Sequence, residues 1–79
     1  MTRREFVEAI DDGCDIMFDL FGKSFTIVGG AENGPDIAEQ ITEANQATFI
    51  DGTELLKNYI VNSKTLYDCF EQIKVTHCT

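Results

Sequence analysis

The sequence predicts an α+β domain: an antiparallel sheet of four to five strands with two to three short helices packed on one face, in the order α-β-β-β-β-α-α-β. Three observations carry this. The chain has 79 residues, enough for one domain spanning 1–79 and a small core. Hydrophobic residues make up 43% and include six Phe, so the composition is that of a folding chain and not of a disordered one. The apolar period is helical up to Gly13 and alternating after it.

Each element follows from local chemistry. Thr2 followed three residues later by Glu5 is a capping box, and Phe6, Val7, Ala9 and Ile10 form a stripe at helical spacing until Gly13 stops it. From Asp15 to Leu20 the pattern alternates: Ile16, Phe18 and Leu20 face one way, and Asp15, Met17 and Asp19 the other. Gly22-Lys23 marks a tight turn, and Lys23 to Gly29 is the return strand, with Phe25 and Ile27 inward. Gly29 to Pro35 is a loop by composition. Asp36 to Ile41 forms a third strand with Ile37 in the core, 42–47 a polar turn, and Ala47 to Ile50 a fourth strand. Asp51-Gly52-Thr53-Glu54 repeats the capping logic before a helix carrying Leu55, Leu56 and Tyr59. Ile60 and Val61 pair briefly, Asn62-Ser63 turns the chain, and Leu66, Phe70 and Ile73 share one face of a last helix before a closing strand at Ile73 to His77. The expected core is Phe6, Ile10, Ile16, Phe18, Phe25, Ile27, Phe49, Leu55, Leu56, Leu66 and Phe70.

Charge and motifs exclude several classes of function. Fourteen Asp and Glu oppose six Lys and Arg, a formal net charge of −8, which argues against direct binding to nucleic acid. No apolar run approaches the ~18 residues of a membrane span, and Met1 to Glu5 does not open a signal peptide. Three cysteines, Cys14, Cys69 and Cys78, form no disulfide framework and point to a reducing, cytoplasmic compartment. His77 and Cys78 are neighbours on a strand and so face opposite ways, which argues against a zinc site built with Cys69. The Gly29 to Gly34 loop lacks the Gly-Lys-Ser/Thr ending of a phosphate-binding loop and carries Glu32. Paired carboxylates such as Asp11-Asp12 would need a pocket to split their pKa values, and His77, two residues from the C-terminus, is an unreliable place for a catalytic base. The expectation is a non-enzyme without cofactor or metal.

Thr2-Arg3-Arg4-Glu5-Phe6, Asp15-Ile16-Met17-Phe18-Asp19, Gly22-Lys23, Phe25-Thr26-Ile27 and Glu54-Leu55-Leu56 resemble segments of a family of short, uncharacterised proteins from Gram-positive bacteria and their phages and mobile elements. These segments are structural, so the resemblance implies a fold and no activity. By size and charge the chain is also similar in type to anti-CRISPR and anti-restriction inhibitors.

The distribution of charge carries the functional expectation. Twelve of the fourteen acids lie between Glu5 and Leu56, where Lys23 is the only base. Such a surface favours encounter with a basic partner and disfavours acidic ones. Alternation places Asp15 and Asp19 on one face, roughly 13 Å apart at ~3.3 Å per residue. Asp11, Asp12, Asp15 and Asp19, with Glu39 and Glu43 next, are the expected partner-binding residues, presented to a basic, nucleic-acid-binding protein in place of its nucleic acid. The alternative is a small structural domain, monomer or homodimer, whose acids only solvate it and whose Met17, Thr26 and Val28 face serves self-association.

Overall fold

Thr2 and Glu5 form the capping box expected of them. The Thr2 hydroxyl accepts from the Glu5 N–H at 3.1 Å, and the Glu5 carboxylate accepts from the Thr2 N–H at 2.8 Å. The computed structural model describes all 79 residues, and in it this box opens helix α1, Arg3–Asp11, which buries Phe6 and Ile10. A tight turn leads into strand β1, Asp15–Leu20, whose alternation buries Ile16, Phe18 and Leu20. Phe21 and Gly22 both adopt positive φ, 51° and 76°, the signature of a two-residue hairpin turn whose twist matches the flanking strands. Strand β2, Lys23–Val28, therefore pairs with β1 in register from Leu20–Lys23 to Asp15–Val28.

Strand β3, Asp36–Glu39, pairs with β2, and strand β4, Ala47–Thr48, pairs with β3. Helix α2, Gly52–Asn58, is capped by Asp51, whose carboxylate accepts from the Glu54 N–H at 2.9 Å. Strands β5, Ile60–Val61, and β6, Lys64–Thr65, make a small separate hairpin. A single 3₁₀ turn, Phe70–Gln72, precedes strand β7, Lys74–Cys78, which returns to pair with β1. The main sheet is antiparallel throughout, ordered β4-β3-β2-β1-β7. This is the α+β class that the sequence predicts, with five strands where four to five were expected.

The core lies on the face of the sheet covered by the helices. An aromatic chain runs through it: Phe70 meets Phe6 edge-on at 5.3 Å, Phe6 meets Phe18 at 6.0 Å, Phe18 stacks on Phe25 at 5.1 Å, and Phe25 meets Tyr59 at 6.1 Å. Ile10, Ile27, Ile37, Leu55, Leu56 and Leu66 fill the space around it. The loop after β2 packs against the end of α1, and Gly29 makes this possible. A Cβ at Gly29 would stand 2.5 Å from the Cys14 carbonyl oxygen and 2.6 Å from that of Ile10. Glycine here serves close backbone packing, not an anion cradle.

Four expectations are corrected. The helix expected around Leu66 to Ile73 is replaced by a run of turns after β6 and the 3₁₀ turn. Asn62 and Ser63, at φ 52° and 67°, form a tight hairpin turn that commits Lys64–Thr65 to pairing with β5, and the Leu66 N–H donates to the Tyr59 carbonyl at 3.1 Å. Leu66 and Phe70 are buried at the expected spacing all the same, so one turn mimics a helix in the pattern. The third strand ends at Glu39, because Ile41 turns out of the ladder at φ 71°. The fourth strand stops at Thr48, leaving Phe49 only half-buried and Ile50 exposed. Tyr59 caps α2 in an extended conformation instead of continuing its stripe, and it is buried from there.

Candidate binding surface on the open face of the sheet

The helices leave one face of the sheet uncovered. On it the register aligns three rows across the strands. Asp15, Val28, Asp36 and Thr48 form the first, and His77, Met17, Thr26 and Ala38 the second; Lys74, Asp19 and Ser24 form the third. Met17 and Val28 are exposed there at 36% and 40%, among charged and hydroxyl side chains.

The six acids expected to act together separate into two groups. Asp11, Asp12 and Asp15 stay together where α1 ends and β1 begins, and all three are exposed. Asp11 is also structural, since its carboxylate accepts from the Gly52 N–H at 2.8 Å and fixes the start of α2 against the end of α1. Asp19 sits at the far end of β1, accepts a 2.7 Å hydrogen bond from the Ser24 hydroxyl and lies opposite Lys74. Glu39 is half-buried, 3.7 Å from the Lys23 ammonium, and accepts from the Asn45 side-chain amide. Glu43 is exposed on the loop between β3 and β4.

Three further acids join the first group. The loop after β2 brings Glu32 to this end, Asp36 opens β3 one strand beyond Val28, and Asp51 precedes the Gly52 that Asp11 holds. Asp15 and Asp36 thus flank Val28 on one row, about 10 Å apart at the usual strand spacing. The pairing of Ile37 with Ile27 is the signal that would place Asp36 there, because both are core-facing by alternation. Asp11, Asp12, Asp15, Glu32, Asp36 and Asp51 therefore share one end of the molecule with no base among them. The bases gather toward the other end. Lys23 and Lys74 begin their strands there, and Arg3 donates to the Tyr67 carbonyl at 3.0 Å while lying over the Tyr67 and Phe70 rings. Lys57 approaches Tyr67 from α2.

Hydrogen bonding and burial shift the titration of Glu5, Tyr59 and Cys69. The Thr2 backbone N–H and hydroxyl hold the Glu5 carboxyl below its ordinary value. Burial raises the Tyr59 phenol, helped by the Glu39 carboxylate, and burial raises the Cys69 thiol. Cys69 is buried with its Sγ 3.2 Å from the Thr65 carbonyl, whereas His77 and Cys78 are exposed on β7. No three of the His, Cys, Asp and Glu side chains converge as metal ligands, and no helix is long and apolar enough to cross a membrane.

A concavity of about 760 Å³ opens on the uncovered sheet face. Its floor includes Met17, Thr26, Val28 and Ala38, and its walls carry Asp36, Glu39, Ile41 and Glu43. The geometry offers an apolar floor inside an acidic rim. No family model, curated protein or solved structure matches the chain.

Proposed function

We propose that this protein is a non-catalytic binding module that presents an acidic surface to a basic protein, of the kind that otherwise binds nucleic acid. The observation that carries the reading is the end of the molecule holding six acids and no base, continuous with the Asp15–Val28–Asp36 row. Carboxylates spaced over about 10 Å on a rigid sheet suit a groove lined with Lys and Arg, and they repel other acids. The inhibitors of phages and mobile elements to which the chain is similar in size and charge supply the analogy. Capture of a partner from a bacterial lysate, followed by competition with DNA or RNA, tests the reading. Nucleic acid should displace this protein, and raised salt should weaken the complex steeply. A partner that keeps its nucleic acid while saturated with this protein would reject mimicry and leave a general protein-binding role.

A further inference from the structure

The loop between β3 and β4 is held in an unusual shape. Ile41, Glu43 and Asn45 all have positive φ, 71°, 55° and 55°. For a β-branched residue such as Ile41 this backbone is an outlier that persists only where its surroundings enforce it. Here the enforcement is visible. The Gln40 N–H donates to the Ser24 carbonyl at 2.9 Å, and the Glu43 and Glu39 backbone amides close the loop onto Glu39 and Ala44 at 3.0 Å. The Tyr59 hydroxyl donates to the Asn45 carbonyl at 2.8 Å from the core side. The result is an isoleucine with its whole side chain in solvent, at the wall of a concavity floored by Met17 and Val28. An ordinary solvent loop would carry a polar or glycine residue at such a φ.

From this we infer that the uncovered sheet face takes a short basic segment of a partner protein, with one aliphatic side chain of that segment seated among Met17, Val28 and Ile41. The inference rests on the acidic-module reading and adds to it a place and a recognition chemistry. Charge selects the occupant. Asp36 and Glu43 stand on the rim, Asp15 continues the same row, and no Lys or Arg lines the concavity. Lys or Arg on both sides of the apolar residue would meet these carboxylates, while the aliphatic side chain covers exposed Met17, Val28 and Ile41. A second copy of this acidic chain would bring like charge to the same rim.

The test uses the full chain and two labelled heptapeptides, each with three Lys or Arg residues on either side of a central leucine or serine. Fluorescence anisotropy at low salt, about 50 mM, reads their affinities. The leucine peptide should bind about tenfold or more tightly than the serine peptide. Ile41→Asn, which asparagine's tolerance of positive φ lets fold, and Met17→Ser should each erase that preference while keeping the salt-dependent binding of the serine peptide. A melting curve on each variant verifies its fold. Equal binding of the two peptides to the wild-type protein would overturn the inference and leave the acidic-module reading standing. Absence of binding by either would overturn both. Sedimentation showing a dimer that Ile41→Asn dissolves would also overturn it, by assigning the face to a second copy.

Discussion

The two faces of the central strands divide the labour of this molecule. On β1 the inward side chains Ile16, Phe18 and Leu20 are almost wholly excluded from solvent. Their immediate neighbours Asp15, Met17 and Asp19 lie on the face that no helix covers. The same backbone thus carries a cohesive surface on one side and a charged, partly apolar surface on the other. Stability and recognition should then respond to different substitutions, one residue apart in sequence.

Phe18 against Met17 is the sharpest form of that contrast. Phe18 is fully buried and touches Phe6 and Phe25 through its ring, so Phe18→Ala should remove about 3–5 kcal/mol, most of the stability of a domain this small. Met17→Ser should move stability by less than about 0.5 kcal/mol. Urea unfolding of the two variants measures the difference, and equal losses would mean that the uncovered face is not free. Gly29→Ala comes next. The added methyl would meet two carbonyl oxygens of backbone that cannot yield, and a loss of about 1–3 kcal/mol is expected in the same measurement.

Within the acidic group the structure separates neighbours as well. Asp11→Ala removes the acceptor of the Gly52 N–H and should destabilise by about 1 kcal/mol, while Asp12→Ala, whose side chain caps nothing, should leave the unfolding midpoint in place. Binding to a basic peptide should fall in both. A stable Asp11→Ala variant would show that α2 is not held through this carboxylate.

How much of this was legible in the sequence varies along the chain for physical reasons. The capping box at Thr2, the β1–β2 hairpin and the inward Phe18, Phe25 and Ile27 depend on neighbours in sequence, and the alternation states them directly. Leu66 and Phe70 misled because their spacing fits a helix; the Asn62-Ser63 turn was legible, but not that it commits Lys64–Thr65 to pairing with β5 and leaves Leu66 to Cys69 as turns. Nor was the backbone of Ile41, whose φ is set by hydrogen bonds to β2 and to Tyr59's neighbourhood and not by its own propensity. At the binding surface, the outward Asp15 and Met17 were legible from alternation. The structural duties of Asp11, joined to a residue 41 positions away, and of Glu39, paired with Lys23, were not.

The inner face also sets a pH limit. Burial raises the Tyr59 phenol above its ordinary value near 10, and raises Cys69 above 9, so the folded state holds these protons more tightly than the unfolded chain. Their contribution is complete below the unfolded values and is lost as pH rises through the folded ones. Stability should therefore decline from about pH 9 upward. Tyr59→Phe should lower stability at neutral pH by about 0.5–1.5 kcal/mol, through loss of the hydrogen bond to Asn45, and flatten the alkaline decline. A Tyr59→Phe protein with an unchanged alkaline profile would assign that decline to other groups.

The most direct test of the division between faces is the double variant Asp15→Lys/Asp36→Lys, followed both by thermal unfolding and by anisotropy with the leucine-centred basic peptide. Both carboxylates stand on the uncovered face on either side of Val28, in the part of the molecule that has no base. Relief of like-charge repulsion should hold the melting temperature at or above that of the parent, and binding at low salt should fall by at least about tenfold. A folded variant that binds the peptide as tightly as the parent would contradict the account.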